Sequence, residues 1–325
     1  MSIDQVLVIG TGFAGSIMAR KFAEKGNKVL VFEKRSHIGG NMYDKKDSNG
    51  ILVHQYGPHI THFKDLRAYE YLSNYTRFVP YQHHVRAIID GKEVPLPFNL
   101  NTIDSLFDVV KAIKIKECLI EEFGMGRKVP ILELRKSSNK DIRELAEFVY
   151  EKVFYHYTTK MWGKSPEEMD PAVTGRVPIS ISYDDRYFTD PIQVMPKYGY
   201  TKLFKKLLTH RNIEITLNED ANKRLTLENG KIYFDGKIFD GTVIYTGAID
   251  AVFKYKFGHL PYRSLYFRHK TYNVGRLQTS AVLNWPDDRL STRRTENKLL
   301  VCQPDVPKVT STIVEYPGPY DEKSK

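Results

Sequence analysis

The sequence predicts an α/β protein: a parallel sheet with a dinucleotide-binding turn, interrupted by a helical insertion and by antiparallel strands. Three observations lead there. Near the N-terminus the apolar run Val6 to Ile9 ends in Gly10-Thr11-Gly12-Phe13-Ala14-Gly15, after which Ile17, Met18, Phe22 and Ala23 recur at helical spacing. From Thr102 to about Tyr157 the apolar residues again fall three or four apart, as in Leu106, Val109, Val110 and Ile113. Two Asp-Gly pairs, Asp90-Gly91 and Asp235-Gly236, each stand between apolar runs, the mark of tight hairpins.

The first element reads as strand, turn and helix, and a second apolar run, Val29 to Phe32, delivers Glu33. That is the order of a Rossmann-like unit. Gly10 allows the sharp turn, Gly12 lets the backbone approach a pyrophosphate, and Gly15 permits close helix–strand packing. Glu33 can accept from a ribose hydroxyl, which suits an adenosine with a free 2′-hydroxyl. Next comes His37-Ile38-Gly39-Gly40-Asn41. A paired glycine just beyond the acid resembles the second element of FAD-binding flavoproteins with two dinucleotide domains, so FAD is expected rather than NAD.

Bulk composition narrows the function. The 325 residues allow one large α/β domain with insertions or two to three smaller ones. The formal charge of +10 comes from scattered lysines and short pairs such as Lys45-Lys46, with no basic stripe for a phosphate backbone. Nucleic acid is therefore not an expected partner. Cys118 and Cys302 are far apart and lack neighbouring ligand patterns, so neither a metal site nor a disulfide framework is expected. A core strand begins almost at once, leaving no room for a signal peptide, and no apolar run reaches the ~18 residues of a membrane span. A soluble, cytoplasmic protein without a membrane partner is the expectation. The oligomeric state stays open, with a homodimer as the candidate assembly.

Beyond Asn41, Ile51-Leu52-Val53 reads as a short strand, and Tyr56-Gly57-Pro58-His59-Ile60-Thr61-His62-Phe63 follows. His59 and His62 could be metal ligands, a proton relay, ordinary loop histidines or donors lining a ring cofactor; their position after the nucleotide unit favours the last. Residues His84 to Leu96 form the first hairpin. The helical stretch ends in Phe154-Tyr155-His156-Tyr157-Thr158-Thr159-Lys160-Met161-Trp162-Gly163, where aromatics crowd a helix end. Arg176-Val177-Pro178-Ile179 starts an extended region that runs through Tyr187-Phe188. The helical segment from Thr201 and the strand Ile213 to Leu217 resume the α/β alternation. Val243 to Gly247 is a strand ending in Thr246-Gly247, like the late strand that returns to the nucleotide site in FAD proteins. Past Leu260 the chain is strand-like, around Ser264–Arg268, Thr279–Trp285 and Thr310–Tyr316.

Taken together these stretches resemble the UDP-galactopyranose mutase family. The glycine turn and Glu33-Lys34-Arg35 are shared with many flavoproteins, whereas Tyr157 to Gly163, Arg176-Val177-Pro178, Tyr262-Arg263-Ser264-Leu265 and Thr292-Arg293 are more particular. The resemblance implies an isomerase that interconverts UDP-galactopyranose and UDP-galactofuranose without net redox, for cell-surface polysaccharide biosynthesis. It implies FAD in its reduced form, with flavin N5 attacking the anomeric carbon to give a flavin-sugar adduct, and UDP-galactose as substrate. Arg176 and Arg293 match the diphosphate-binding arginines. Phe154, Tyr157, Thr158 and Trp162 match the uridine-side cluster and the tryptophan of a loop running from about 163 to 176. Tyr187 and Tyr316 match diphosphate-contacting tyrosines, Asn284 a polar contact near the sugar, and His83 a weaker sugar contact. The cofactor set is Gly10, Gly12, Phe13, Ala14, Gly15, Glu33, Lys34, Gly40, Asn41, His59, His62, Thr246 and Gly247, with His62 favouring the productive flavin state. No residue is assigned to a metal.

Three parts are expected. An FAD-binding Rossmann-like domain comprises 1–78 and 198–252, a helical substrate domain 99–175, and an antiparallel sheet domain 79–98, 176–197 and 253–325, with substrate in the cleft between. Family members continue beyond the last residue of this sequence with a Gly-Gly-Arg segment, a tyrosine, an acidic residue and a closing helix. Their absence here leads to an expectation of uncovered apolar surface and weakened flavin retention. Two alternatives remain: an amine-oxidase-like FAD oxidoreductase, and a truncated, inactive or ligand-binding relative of the mutases.

Overall fold

The computed structural model describes residues 5–164, 168, 178–300 and 308–320. The chain forms two compact units. One holds Met1–His59, Asp65–Val79 and Met195–Pro261, the other Ile60–Lys64, Pro80–Val194 and Tyr262–Lys325.

In the first unit, four parallel strands lie in the order Ile213–Leu217, Lys28–Glu33, Gln5–Ile9 and Thr242–Tyr245. The central strands are apolar on both faces because both faces are covered. Val6, Val8, Val29 and Val31 pack with Ala19 and Ala23 of helix Phe13–Glu24, while Leu7, Ile9 and Phe32 pack with Leu225 and Val252 on the other side. The second hairpin forms where its Asp-Gly pair predicts, between Lys231–Phe234 and Lys237–Ile238. Asp235 and Gly236 both take positive φ, 55° and 74°, which a two-residue turn of matching twist requires.

Helix Tyr200–Leu208 lies against the turn helix, with the Phe13 ring 4.7 Å from that of Phe204. A buried carboxylate holds its N-terminus: Asp44 accepts from the Tyr200 N–H at 2.6 Å and the Thr201 N–H at 2.9 Å. Burial pushes the Asp44 carboxyl up from its ordinary value, and the bonds from Thr201 and Tyr200 only partly oppose that. Gly199 precedes the helix at φ 85°, and a Cβ there would lie 2.6 Å from Asp44 Oδ2. Only glycine fits that approach.

In the second unit, six strands lie in the order Arg263–Tyr272, Thr310–Pro319, Arg293–Glu296, Val282–Asn284, Val85–Ile89 and Lys92–Leu96. Neighbours are antiparallel except Val282–Asn284 with Val85–Ile89, which run parallel. Helices Leu100–Leu106, Val109–Phe123 and Lys140–Val149 cover this sheet. Ala87, Ile89 and Val94 share one continuous core with Ile115, Leu119, Leu145 and Val149, so the helical insertion and the antiparallel strands make a single compact unit.

Two details depart from the periodicity. Val109, Val110 and Ile113 point outward, 74%, 78% and 47% exposed, and the inward stripe of their helix is Ala112, Ile115 and Leu119. The helical stretch also contains a strand, Lys128–Pro130, paired with Pro178–Ser180; a proline ends it, and the residue before proline favours extended backbone.

Candidate functional site

The glycine turn is built by close approach. Gly10 sits at φ 99°, and a Cβ on it would lie 2.2 Å from Thr246 Oγ1. A Cβ on Gly15 would lie 2.0 Å from the Gly10 carbonyl oxygen, whereas Gly12 faces open space with nothing within 4 Å. Gly40, at φ 55°, brings the second glycine pair onto the first turn, its own Cβ position 3.2 Å from Gly12 Cα. Thr246 fastens the late strand, its N–H and Oγ1 both donating to the Ile9 carbonyl, at 3.0 and 2.7 Å.

These contacts leave a groove of about 460 Å³. The glycine turn from Gly10 to Ala14 lines it, with Glu33 and Lys34 from the end of the next strand, Gly40 and Asn41 from the second glycine pair, and Thr246 and Gly247 from the late strand. The Glu33 carboxylate accepts from the Thr11 N–H at 3.0 Å and Thr11 Oγ1 at 2.6 Å, and from the Arg35 N–H at 3.0 Å. It therefore braces the turn as well as lining the groove. His59 Nε2 lies 2.6 Å from the Asn41 carbonyl, so that nitrogen carries the proton. The His59 N–H donates to Nδ1 of the buried His54, whose pKa burial pushes down to about 3.

The second unit contains a cavity of about 320 Å³. Leu96, Pro97, Phe98, Val153 and Pro286 give it apolar walls, and Tyr157, Tyr187, Asn284 and Lys128 polar ones. Tyr157 comes from helix His156–Trp162, whose preceding turn, Tyr150–Tyr155, is a π-helix. Asn284 ends its strand directly opposite Arg293, which in turn opposes Glu315, so the three form one row across the sheet. Arg293 Nε is 2.8 Å from Glu315 Oε1, an ion-pair distance without hydrogen-bond alignment. Those two atoms and Asn284 Oδ1 are buried with no hydrogen-bond partner among the described residues. Burial works against the Arg293 charge, but Glu315, with Tyr157 and Tyr187, outweighs it and raises the guanidinium above its ordinary value.

A ring stack continues from there. His83 is buried, and burial followed by the Arg293 charge pushes it down to about 4, so it is neutral. Its ring meets Tyr187 edge-on at 5.9 Å, and the Tyr187 N–H donates to the His83 carbonyl at 2.8 Å. Phe188 stacks on His62 at 3.8 Å, and Asp190 Oδ2 stands 2.9 Å from His62 Nδ1.

The sequence profile of UDP-galactopyranose mutase matches residues 152–325, and that of an NAD(P)-binding Rossmann-like domain matches residues 8–75. The UDP-galactopyranose mutase of Mycoplasma pneumoniae (strain ATCC 29342 / M129 / Subtype 1) is 36% identical over 97% of this chain and 80% of its own length. The chain belongs to the UDP-galactopyranose mutase family. A dTDP-fucopyranose mutase of Escherichia coli is also 36% identical, over 91% of this chain and 77% of its own. The crystal structure of a reduced UDP-galactopyranose mutase shares the fold with a TM-score of 0.71 at 16% identity, covering 98% of this chain and 76% of that one.

Of the residues carried over from the mutase family, Tyr157, Tyr187 and Asn284 line one cavity, with Arg293 and His83 beside them. Thr158 is buried, and Trp162 is 44% exposed at the helix end. Phe154 is only 3% exposed inside the hydrophobic core, and its neighbour Val153 supplies the wall. Tyr316 follows Glu315 on a strand, so alternation turns it to the opposite face from the Arg293 row. Arg176 lies outside the described residues, as do 165–167 and 169–175 of the tryptophan loop. Sequence reasoning missed Glu315, Lys128, Phe188, Asp190 and His54. Glu315 alone had a signal, as the other member of an alternating pair with Tyr316.

Proposed function

We propose that the protein interconverts UDP-galactopyranose and UDP-galactofuranose, with FAD in its reduced form as cofactor. One observation carries the reading: within a chain of the mutase family, Tyr157, Tyr187 and Asn284 share a cavity beside Arg293. On this reading the enzyme is cytoplasmic and supplies galactofuranose for a cell-surface polysaccharide.

The groove in the first unit suits FAD. Gly12 leaves its backbone open to a pyrophosphate, and Glu33 Oε1, which accepts one bond, keeps acceptor capacity for a ribose hydroxyl. When bound, the reduced flavin supplies a nucleophile for the anomeric carbon. The chain's own part is to bind, orient and balance charge. Tyr157 offers a ring face to the nucleobase. Arg293 offers its terminal nitrogens, which have no hydrogen-bond partner among the described residues, to the diphosphate while Glu315 holds the other side of the fork. Because Glu315 offsets the Arg293 charge, a dianionic leaving group needs further cations. Lys128 lines the cavity, and Arg176 is the other candidate.

A second substrate, a dTDP-linked 6-deoxy sugar, is favoured by the equal identity to the E. coli dTDP-fucopyranose mutase. The test is to load the protein with FAD, reduce it with dithionite, and supply UDP-galactofuranose or dTDP-fucofuranose in parallel. Chromatography should reveal UDP-galactopyranose; folded, flavin-loaded protein that converts neither sugar refutes the activity. Arg293→Ala should lower kcat/KM by on the order of a hundredfold while flavin content stays unchanged. Loss of flavin instead would move Arg293 out of the substrate site.

A further inference from the structure

Lys160 stands on the same helix as Tyr157, three residues on, yet its side chain makes no ion pair within bonding distance among the described residues. Its Nζ donates instead to two main-chain carbonyls, Trp285 at 2.8 Å and Ser291 at 3.1 Å. Trp285 lies between Asn284 and Pro286, both of which line the cavity, and Ser291 lies two residues before Arg293. One ammonium group thus grips both ends of the connection between two strands that carry the polar row. The connection is also braced by the Trp285 N–H on the Thr292 carbonyl at 2.8 Å, by the Thr292 N–H on the Glu315 carbonyl at 2.9 Å and by an Asp287–Arg289 ion pair at 2.8 Å, but between Trp285 and Ser291 it is Lys160 that reaches both ends. The helix end is held separately, since Arg263 Nε donates to the Met161 carbonyl at 3.0 Å and Nη2 to that of Lys160 at 3.3 Å.

A lysine in such a place carries a cost. Burial pushes it down to about 8, and the charges of Asp287 and Asp288 oppose this only in part, with Arg289 working against them. Two carbonyls without a carboxylate in contact are a poor return for a half-buried ammonium unless the geometry they enforce is used.

We propose that Lys160 is a positioning residue of the cavity: by holding the carbonyls of Trp285 and Ser291 it sets the spacing between Tyr157 on one wall and Asn284 and Pro286 on the other, and so the affinity for a nucleoside diphosphate. This rests on the cavity being the nucleotide-sugar site proposed above.

Calorimetric titration of flavin-loaded protein with UDP tests it, using wild type, Lys160→Met, Lys160→Arg, Asn284→Ala and the Lys160→Met/Asn284→Ala pair. Lys160→Met should weaken UDP binding roughly tenfold, the scale of lost bonds from a charged donor. KM should rise with kcat within about twofold, and Lys160→Arg should recover most of the loss. Because Lys160 acts through the Asn284 wall, the double variant should lose less than the product of the single losses. Unchanged UDP affinity in Lys160→Met, or fully multiplicative losses, overturns the proposal. Should Lys160→Met fail to fold, the wild-type protein decides. The charged groups that act on the Lys160 ammonium are Asp287, Asp288 and Arg289, while Arg263 holds the Lys160 carbonyl. UDP affinity declining from about pH 7 to about pH 9 supports the role, and a flat profile overturns it. Wild type that binds no UDP at all would instead sink the reading of the cavity.

Discussion

His83 and His54 are held neutral in the folded chain, at about 4 and about 3, in both cases chiefly by burial. An unfolded histidine titrates near ~6.5, so between that value and the folded ones the unfolded chain binds more protons. The stability that these two groups supply is therefore complete above about pH 6.5 and falls as the pH drops. Urea unfolding at about pH 5 should give a stability lower than at about pH 7 by on the order of 2–4 kcal/mol, and His83→Asn should remove roughly half of the difference. A pH-independent midpoint across that range would rule the mechanism out. At this scale the legible residues were those whose chemistry is local: the glycines answer to turn geometry, and Tyr157 and Asn284 to a recognisable segment. Asp190 and Lys160 were not legible, because each is defined by a partner far away in sequence, His62 and the Trp285 carbonyl respectively, and Glu315 showed only its alternation with Tyr316 and not its partner Arg293. Phe154 and Val153 show the same limit. Adjacent apolar residues at a helix end look alike until the core claims one of them.

Among the elements, helix Tyr200–Leu208 depends on a cap that no local motif announces. Asp44 receives two of its first N–H groups from a strand more than 150 residues earlier, and Thr201 Oγ1 returns a bond of 2.6 Å to the Asp44 carbonyl. Since Phe13 of the glycine turn packs on Tyr200 and Phe204, the cap also supports the cofactor groove. Asp44→Ala should cost about 2–4 kcal/mol and weaken flavin retention, measured by thermal melting and by the visible absorbance kept after gel filtration. Flavin kept at full occupancy by a destabilised variant would show that the groove does not lean on this helix. Strands with apolar runs and both Asp-Gly hairpins were readable in advance. Arg293–Glu296 was not, since a short strand reading Arg-Arg-Thr-Glu shows no apolar alternation and owes its conformation to pairing on both sides. Helix Val109–Phe123 shows the converse: periodicity revealed an apolar stripe, but two stripes overlap and only packing chooses between them.

For the molecule as a whole, the groove lies within the first compact unit and the Tyr157 cavity within the second. Protein stripped of flavin should accordingly bind UDP with an affinity within about threefold of the loaded form, by calorimetric titration. Complete loss of UDP binding on stripping would show that the cavity is not self-sufficient. The sequence separated a helical part from an antiparallel part because their periodicities differ, whereas a shared core makes them one body, a fact of three-dimensional burial that no periodicity encodes. The parallel sheet has a further consequence. Its strand Thr242–Tyr245 lies beside Gln5–Ile9, and Thr246 Oγ1 reaches the Ile9 carbonyl across 237 positions of sequence. A ribosome releases the glycine turn early and the strand that closes it late, so the nascent polypeptide spends most of its synthesis with an unfinished cradle. On the proposed reading of the groove, flavin capture is then a late step in biogenesis, and messages that stop short of that strand should yield colourless polypeptide.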